Sequence, residues 1–552
     1  MTPARVLVSA ALLLGAAGAG FAQSPLPDSA RLAINRVFAS WSTSDGPGCA
    51  LGVSRNGAMV YQNGYGMANL ESDAPITAGS IFHVASVSKQ FTSMAILLLA
   101  EDGKLSLDDE VRKYLPELPD YGQRITLRHL LTHTSGLRDQ WDLLSLARGR
   151  FEEDRITEAD VLEIVARQKA LNFVPGTEYL YSNTGYTLLG TIVRRVSGKS
   201  LRAFADERIF KPLGMQHTHF HDDYTMVVKG RAAGYNRTGG AWHVSLPNYD
   251  TYGATSLFST VGDLLLWEAN VAKPTVGNPN LFAGMEASAV LINGDSTAYG
   301  LGRSVERYRG LRLVGHGGAD AGYRTYLGQF PEHGLALAVL CNAAQANPGA
   351  LARGVADVFL RDKLGPLDEP VKALARPTVA QLARIAGVYV NPVTGIPTFI
   401  TLRDTTLVLG RVNGPELIPL TDQRFKVRGQ PVEFEFGEGG LVQRFVGWPS
   451  RQNVRLKREE LAKPVRAELE RYAGSYYSEE LGTTYTVKAT DTTLVLTTRW
   501  GSNDRTVRPA YGDTFVGDFL LSFTRGRKSE IDGMVMSTGR TRGVRFVRSG
   551  TR

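Results

Sequence analysis

The strongest signal in the sequence is the stretch SIFHVASVSKQFTSMAILLLAEDGKL, residues 80–105. It places Ser86 and Lys89, three residues apart, at the start of an apolar-periodic helix, where both side chains share one face. A serine hydroxyl becomes a nucleophile when a nearby base takes its proton, and a helix N-terminus favours the negative charge that develops there. The pattern predicts a nucleophile with its base. A Ser that merely caps the helix is the alternative.

A second pattern, FVPGTEYLYSNTGYTLLG at residues 173–190, places Tyr181 and Asn183 between a Pro-Gly turn and a new helical run. A phenol beside Lys89 can relay the Ser86 proton to a leaving group and later deprotonate the hydrolytic water. The Asn183 amide can orient Lys89 and bind a substrate carbonyl. We therefore predict a catalytic tyrosine and a substrate-binding asparagine, with loop packing as the alternative for Tyr181.

A third pattern, LVGHGGADAGYRTYLGQF at residues 313–330, predicts two strands joined by a Gly-rich turn. Its glycines allow a substrate to lie against the strand edge, and the amide of Ala319 can pair with that of Ser86 as an oxyanion hole. We predict substrate-binding roles for His316, Gly318 and Ala319. A structural hydrogen-bonding role is the alternative for His316.

Residues 47–360 alternate β-rich and helical runs, which is typical of an α/β or α+β domain. A hairpin around Asn56 and Gly57 lies at one end and three further strands lie at the other, so five strands flank a mostly helical middle.

Two related modules follow. QLARIAGVYV at residues 381–390 recurs as ELERYAGSYY at 468–477, and DTTLVL occurs at 404–409 and again at 491–496, both at an offset of 87 residues. A constant offset indicates a duplicated domain, and the alternating apolar residues and turn glycines of each copy predict small closed antiparallel β-barrels. The predicted organisation is a signal peptide at residues 1–22, a catalytic domain at 23–365, and β-barrels at 378–458 and 465–552.

The N-terminal residues have the pattern of a secretory signal peptide. Arg5 precedes an apolar run from Val6 to about Ala17, and small residues end at Ala22. The run is shorter than the roughly 20 residues that a spanning helix needs, so cleavage before Gln23 is preferred to anchoring. No later stretch predicts a bilayer span. We expect a periplasmic or secreted protein without stable membrane insertion.

Charge is uneven along the chain, with 27 Lys and Arg against 18 Asp and Glu from residue 376 onward and a net charge of +8 overall. An exported protein without a clustered basic run is not expected to bind nucleic acid. The basic C-terminal third is either a solvated β-rich surface or a site of weak contact with anionic envelope polymers. Two cysteines are too few for a disulfide scaffold or a Cys-based zinc site.

The order of the three patterns resembles that of a known family: Ser86-x-x-Lys89, Tyr181-x-Asn183, His316-x-Gly318. The family is the penicillin-recognising serine hydrolases, which include class C β-lactamases, DD-peptidases, related esterases and D-aminopeptidases. The resemblance extends over about residues 30 to 360. It implies an α+β β-lactamase-like domain whose antiparallel five-stranded sheet is flanked by helices, here followed by the two barrels. It also implies hydrolysis through an acyl-Ser86 intermediate, without a cofactor.

One position departs from the family. Its β-lactamases and DD-peptidases usually have Lys where this chain has His316, and the Lys charge meets the substrate carboxylate. A histidine is mostly neutral at pH 7, so the expected substrates are amides, peptides or esters not selected for a terminal carboxylate. His in this place together with two barrels resembles the D-aminopeptidases, in which an acidic side chain on a barrel loop binds the substrate amine. Asp504 or Asp513, in the connection 499–513, is the candidate here, with solvation as the alternative.

Several functions are left open by the sequence. The leading hypothesis is a hydrolase of small amides, peptides (D-amino-acid-containing ones among them) or esters. The alternatives are a penicillin-binding-type sensor or scaffold for cell-wall peptides, and a β-lactamase or carboxylesterase. The segment HTHFHDD at 217–223 lies in a loop of the resembled fold, and we predict no metal there because a serine mechanism needs none. Self-association also stays open.

The resemblance makes one prediction about the cysteines. In the resembled fold the first strand, beginning near Cys49, pairs antiparallel with the last strand of the sheet, ending at Cys341. We predict that the two are neighbours. Whether they are bonded is left open, because a one-residue slip would point the sulfurs to opposite faces.

Overall fold

The computed structural model describes residues 26–150, 154–366, 373–411, 414–427, 430–437, 442–447, 455–498 and 504–550. The predicted signal peptide lies outside these residues. Within them, no helix is long and apolar enough to cross a bilayer.

Residues 26–366 contain a catalytic domain of α+β architecture. Its strands are β1 (Cys49–Arg55), β2 (Ala58–Tyr65), β3 (Met67–Asn69), β4 (Ala74–Pro75), β5 (Phe82–His83), β6 (Ile156–Thr157), β7 (His219–Phe220), β8 (Tyr235–Thr238), β9 (Ala241–Val244), β10 (Tyr249–Asp250), β11 (Leu257–Ser259), β12 (Ser304–Tyr308), β13 (Leu311–Asp320), β14 (Tyr323–Phe330) and β15 (Leu335–Cys341). Its helices are α1 (Asp28–Val37), α2 (Lys89–Glu101), α3 (Leu127–Leu131), α4 (Gln140–Arg148), α5 (Glu158–Ala166), α6 (Asn183–Ser197), α7 (Leu201–Ala205), α8 (Lys211–Leu213), α9 (Val261–Ala272), α10 (Pro279–Glu286) and α11 (Pro348–Phe359).

The main sheet is antiparallel and has the order β12-β13-β14-β15-β1-β2. The five predicted strands are all present, but the sheet has six strands rather than five because β12 adds to its edge. The sequence of β12, SVERY, is short and largely polar, and its side chains are exposed or half-buried, so no apolar run signals it. Helices α1 and α11 pack on one face of the sheet and α9 packs on the other, which buries the central strands on both faces.

The predicted proximity of the cysteines is confirmed. Cys49 lies directly opposite Cys341 in the β1–β15 ladder, their Cα atoms are 4.0 Å apart, and their sulfurs are bonded. The bond therefore joins β1 and β15, the first and last strands of the main sheet in chain order.

Two closed eight-stranded barrels follow, and in each the first strand pairs with the last. The first barrel is preceded by helix α12 (Val379–Ile385) and consists of β16 (Gly387–Val390), β17 (Pro397–Arg403), β18 (Thr406–Leu409), β19 (Glu416–Pro419), β20 (Arg424–Val427), β21 (Gln430–Phe436), β22 (Val442–Gly447) and β23 (Arg455–Glu459). The second is preceded by α13 (Arg466–Leu469) and consists of β24 (Gly474–Ser478), β25 (Thr483–Ala489), β26 (Leu494–Thr498), β27 (Arg505–Tyr511), β28 (Thr514–Val516), β29 (Leu520–Arg525), β30 (Ile531–Ser537) and β31 (Val544–Arg548).

The barrels repeat side-chain contacts as well as strands. The Tyr389 hydroxyl donates to the carbonyl of Ile385, and the Tyr476 hydroxyl, 87 positions later, donates to that of Tyr472. An arginine on the last strand of each barrel donates to a carbonyl just before its first strand, at Ala386 and Ala473. The tyrosines and all the acceptor carbonyls repeat at an offset of 87 residues and the arginines at 90, which supports the predicted duplication.

Only the second barrel shares a hydrophobic core with the catalytic domain; the first has a core of its own among the described residues. At the junction, the buried guanidinium of Arg138 pairs with Glu480 at 2.6 Å and also donates to the carbonyls of Arg542 and Gly543. A buried ion pair of this kind fixes the barrel against the segment before α4.

The disulfide predicts a thiol count. Protein denatured without reductant should contain no titratable thiol, and the same sample should contain two after reduction, because Cys49 and Cys341 are the only cysteines. Ellman's reagent in guanidinium gives both numbers. Two thiols before reduction would show that Cys49 and Cys341 are not bonded.

The junction predicts a stability change. Glu480→Gln should lower the free energy of unfolding by about 3–5 kcal/mol, because it leaves the buried Arg138 charge uncompensated. Denaturant titration measures the loss. The matched control is Glu479→Gln, since Glu479 pairs with Lys169 at the exposed surface, and we expect a change within about 0.5 kcal/mol. Equal effects of the two substitutions would contradict the role of the buried pair.

Candidate active site

Ser86 lies in a 3₁₀ turn, Ala85–Ser88, immediately before α2. The predicted start of the helix is thus a 3₁₀ turn rather than an α-helical one. A 3₁₀ turn has three residues per turn, so residues i and i+3 superpose and Ser86 still faces Lys89. Ser86 is half-exposed while the other residues of the turn are buried, which leaves its hydroxyl open to a substrate.

The turn is held in an uncommon backbone conformation. Ala85 has a φ of 49°, in the left-handed region that residues with a Cβ rarely adopt. Its N–H donates to Nδ1 of His83 at 3.2 Å, and the Ser88 hydroxyl donates to its carbonyl at 2.5 Å. These contacts hold the backbone of the turn that carries Ser86.

Lys89 is fully buried, and its Nζ has three hydrogen-bond partners. Nζ lies 3.1 Å from Ser86 Oγ, 2.9 Å from Asn183 Oδ1 and 2.6 Å from the carbonyl of Ala254. Burial lowers the pKa of Lys89 to about 7, and the charge of Arg540 adds to this, whereas Asp320 and Asp139 oppose it. A large fraction of Lys89 is therefore neutral near pH 7.

Tyr181 lies just before α6, at the position that the sequence predicts, and its ring is 4.8 Å from Lys89 Nζ. The buried ring of His133 packs on it with ring centres 4.1 Å apart. Burial raises the pKa of the Tyr181 phenol well above its ordinary value, and the proximity of Ser86 partly opposes the rise. Tyr181 therefore keeps its proton at neutral pH.

Asp139 belongs to the same network, although the sequence analysis missed it. Its Oδ2 accepts from the Asn183 N–H at 2.7 Å and from the Asn183 Nδ2 at 3.0 Å. This orients Asn183 so that its Oδ1 faces Lys89. Asp139 also caps α4 by accepting from the Trp141 N–H, and a helix cap is the role that its sequence context favours.

The predicted β13 residues lie beside the nucleophile turn. A Cβ on Gly318 would stand 2.4 Å from the carbonyl of Val84 and 2.3 Å from Thr325 Oγ1, so only glycine permits this approach. Ala319 is exposed next to it.

His316 is buried and neutral. Its Nδ1 donates to the carbonyl of Gly317 at 2.6 Å, so Nε2 accepts from the Tyr299 hydroxyl at 2.9 Å. Burial, with the nearby Lys89 charge, lowers the pKa of His316 to about 3. The sequence predicts a side chain without a positive charge at this position, and burial in the folded site keeps His316 neutral.

The second barrel reaches the site through a loop that the sequence analysis did not single out. The β30–β31 loop, residues 538–543, places the guanidinium of Arg540 4.8 Å from the centre of the Tyr181 ring. The two predicted carboxylates belong to a different connection of this barrel, residues 499–513. Asp513 pairs with Arg525 and accepts from Tyr472, and Asp504 is exposed at the start of β27. Asp513 is therefore engaged within the barrel, a role for Asp504 stays a prediction, and the barrel group that lies beside Tyr181 is a cation.

The histidine-rich segment 217–223 makes contacts within its own domain. Nε2 of His219 lies 3.3 Å from Nδ1 of His221, and burial lowers the pKa of His219 to about 4. Among the described residues no group of three or more His, Cys, Asp or Glu side chains has the arrangement of a metal site.

Comparisons with known proteins agree with this geometry. The family model described as Beta-lactamase matches residues 34–360. A D-aminopeptidase of Cereibacter sphaeroides is 27% identical over 447 residues, which cover 81% of this chain and 82% of that protein. A D-aminopeptidase of Brucella ovis is 29% identical over 356 residues, which cover 64% of this chain and 65% of that protein.

Among solved structures, the octameric penicillin-binding protein homologue from Pyrococcus abyssi is similar over 78% of this chain and 99% of its own length, at 26% identity and a TM-score of 0.56. The family match covers more than half of the chain and contains the Ser86, Tyr181 and His316 motifs in order. The chain belongs to the beta-lactamase family and is a serine hydrolase.

Proposed function

We propose that this chain is an exported hydrolase that cleaves the amide bond of small amides or peptides through an acyl-Ser86 intermediate. The observation that carries the proposal is the 3.1 Å contact between Lys89 Nζ and Ser86 Oγ, in a site whose burial lowers the pKa of Lys89 to about 7. A general base works best when its pKa is near the working pH.

The partners of Lys89 decide where its lone pair points. The Asn183 and Ala254 oxygens belong to amide carbonyls and can only accept. A neutral amine keeps two N–H donors, which these two oxygens take. Its lone pair then faces Ser86, whose O–H can donate, so Lys89 is the group that accepts the Ser86 proton during attack.

Tyr181 is assigned to proton relay. Its raised pKa keeps the phenol neutral, so it passes a proton from Lys89 to the departing amine rather than acting as a phenolate base. The amides of Ser86 and Ala319 are assigned to the oxyanion hole, because Gly318 brings β13 against the nucleophile turn. After acylation, neutral Lys89 activates water by the same route.

The names of the relatives and the disulfide bond support the remaining parts of the proposal. The relatives named D-aminopeptidases favour amide bonds, with D-amino acids among the substrates. The Cys49–Cys341 bond is what an oxidising compartment preserves, so we propose a periplasmic or secreted location. The octameric homologue makes self-association a proposal for light scattering to test. Weak contact of the basic C-terminal third with anionic polymers stays a prediction.

Ser86→Ala should abolish turnover of p-nitroanilides of D- and L-amino acids, p-nitrophenyl esters and nitrocefin, because the acyl acceptor is gone. We expect stability to change by no more than about 1 kcal/mol. Intact mass spectrometry of the wild type should show an adduct on Ser86 that forms and then decays. A permanent adduct without product would favour the sensor alternative, and turnover by the alanine variant would refute the mechanism.

The plot of kcat/KM against pH should rise with a midpoint near pH 7, as Lys89 loses its proton. The groups around Lys89 are Asp139, Asp320, Arg540, His133, His316, Tyr181 and Tyr186. Both histidine pKa values are lowered and both tyrosine pKa values are raised, so none of these four groups titrates near pH 7.

Asp139→Asn tests whether Lys89 causes this rise, because it predicts the direction in which the midpoint of the pH profile moves. The Asp139 charge raises the pKa of Lys89, so its removal should move the midpoint to lower pH while the helix cap is retained. We also expect kcat to fall, because Asn183 loses a charged partner. An unmoved midpoint would assign the limb to a group other than Lys89.

A further inference from the structure

The loop that carries Arg540 is fixed to the catalytic domain from both sides. The Arg540 N–H donates to Asp142 Oδ2 at 3.0 Å, and the Arg540 carbonyl accepts from the Asp139 N–H at 3.3 Å and from Asn172 Nδ2 at 2.9 Å. Two residues on, Arg542 pairs with Glu178 at 2.9 Å. The backbone at Arg540 is therefore held in place beside the site.

The backbone of Arg540 is anchored, whereas its side chain is accessible to solvent. Its guanidinium lies 4.8 Å from the same Tyr181 ring centre that Lys89 Nζ approaches at 4.8 Å. The two cationic groups are thus no more than about 10 Å apart. Within the described part of the chain, no carboxylate forms an ion pair with Arg540. An arginine supplies a planar fork of donors that matches a carboxylate.

The carboxylates nearby already have partners. Asp139 accepts from Asn183, Asp142 accepts from the Arg540 N–H and the Thr538 hydroxyl, and Asp320 accepts from the Thr255 hydroxyl. The position that carries Lys in the resembled lactamases holds a neutral histidine. Among these groups of the described residues, the accessible charge beside Tyr181 is that of Arg540, and it comes from the barrel.

We infer that Arg540 is a specificity-determining residue that binds a carboxylate of the substrate, so that this hydrolase selects amides or peptides bearing a carboxylate over those bearing a free ammonium. The inference rests on the proposed function. It reverses the charge preference expected from the resemblance to D-aminopeptidases, because the 538–543 loop of the barrel presents a guanidinium to the site. The carboxylate lies on the acyl side of the scissile bond or on the leaving side, and the substrates below separate the two.

The test uses two series of substrates whose members differ mainly in charge. On the acyl side these are the p-nitroanilides of succinyl-D-alanine, acetyl-D-alanine and D-alanine, which are anionic, neutral and cationic. On the leaving side they are acetyl-D-alanyl-D-alanine and its C-terminal amide. The wild type should prefer the anionic member of one series. Arg540→Ala should lower kcat/KM for that member about 10- to 100-fold more than for its neutral counterpart, the range expected for a hydrogen bond to a charged group.

Three further variants sharpen the result. Arg540→Lys should retain part of the preference, and Arg540→Glu should shift it toward the D-alanine p-nitroanilide. Arg545→Ala is the matched control, because Arg545 is an exposed arginine on β31 of the same hairpin. The substrate preference of this variant should equal that of the wild type.

A structural role for Arg540 would give another pattern. The Arg540 charge lowers the pKa of Lys89, so Arg540→Ala should move the pH midpoint upward for every substrate. If Arg540→Ala lowers kcat/KM by the same factor for every member of a series, or lowers it for none, Arg540 does not bind the carboxylate and the inference is overturned.

Binding separates this inference from the proposed mechanism. In the Ser86→Ala background, calorimetry should show tighter binding of acetyl-D-alanyl-D-alanine or succinyl-D-alanine p-nitroanilide than of its neutral counterpart. Arg540→Ala in that background should remove the difference. If the wild type turns over no substrate but this difference is present, the proposed function fails and the carboxylate site stands. A missing difference in both series would overturn the carboxylate site alone.

Discussion

The chemistry of this enzyme depends on the burial of one amine. Lys89 begins α2 with no exposed surface, and its desolvation is the largest cause of its lowered pKa. The cost of burying the amine is reduced by the Asn183 and Ala254 oxygens, which accept its N–H groups. Those same contacts direct the remaining position on Nζ toward Ser86. The buried position of Lys89 therefore determines both its affinity for a proton and the direction of its free position toward Ser86.

Neighbouring residues of one short segment join this site to the second barrel. Arg138 pairs with Glu480 of the barrel, and Asp139 accepts from Asn183 of the active site. The carbonyl of Arg540 in turn accepts from the Asp139 N–H. The barrel junction and the orientation of Asn183 are thus built on consecutive residues, so a displacement of the barrel changes the surroundings of Lys89 as well as the entrance to the site.

The sequence predicted those parts of the site that depend on local spacing. Ser86 and Lys89 are three residues apart, and the exchange of an α-turn for a 3₁₀ turn leaves them facing each other. The duplication was likewise visible, because a constant offset needs no tertiary information. Asp139 and Arg540 were not found. Their partners are 44 residues and more than 350 residues away in the chain, and nothing in the local pattern distinguishes Asp139 from an ordinary helix cap.

The cation that the second barrel presents to the site has a physical explanation in the duplicated architecture. Both barrels have the same strand order and the same tyrosine and arginine contacts, but only the second has its core joined to that of the catalytic domain. The packing of a barrel depends on its apolar interior, whereas the residue at the tip of its 538–543 loop meets few packing constraints. The chain can therefore change the charge presented to the substrate at Arg540 without altering the barrel, the sheet or the Ser86–Lys89 pair. The fold fixes where the loop lies, and the loop sequence alone determines the sign of the charge there.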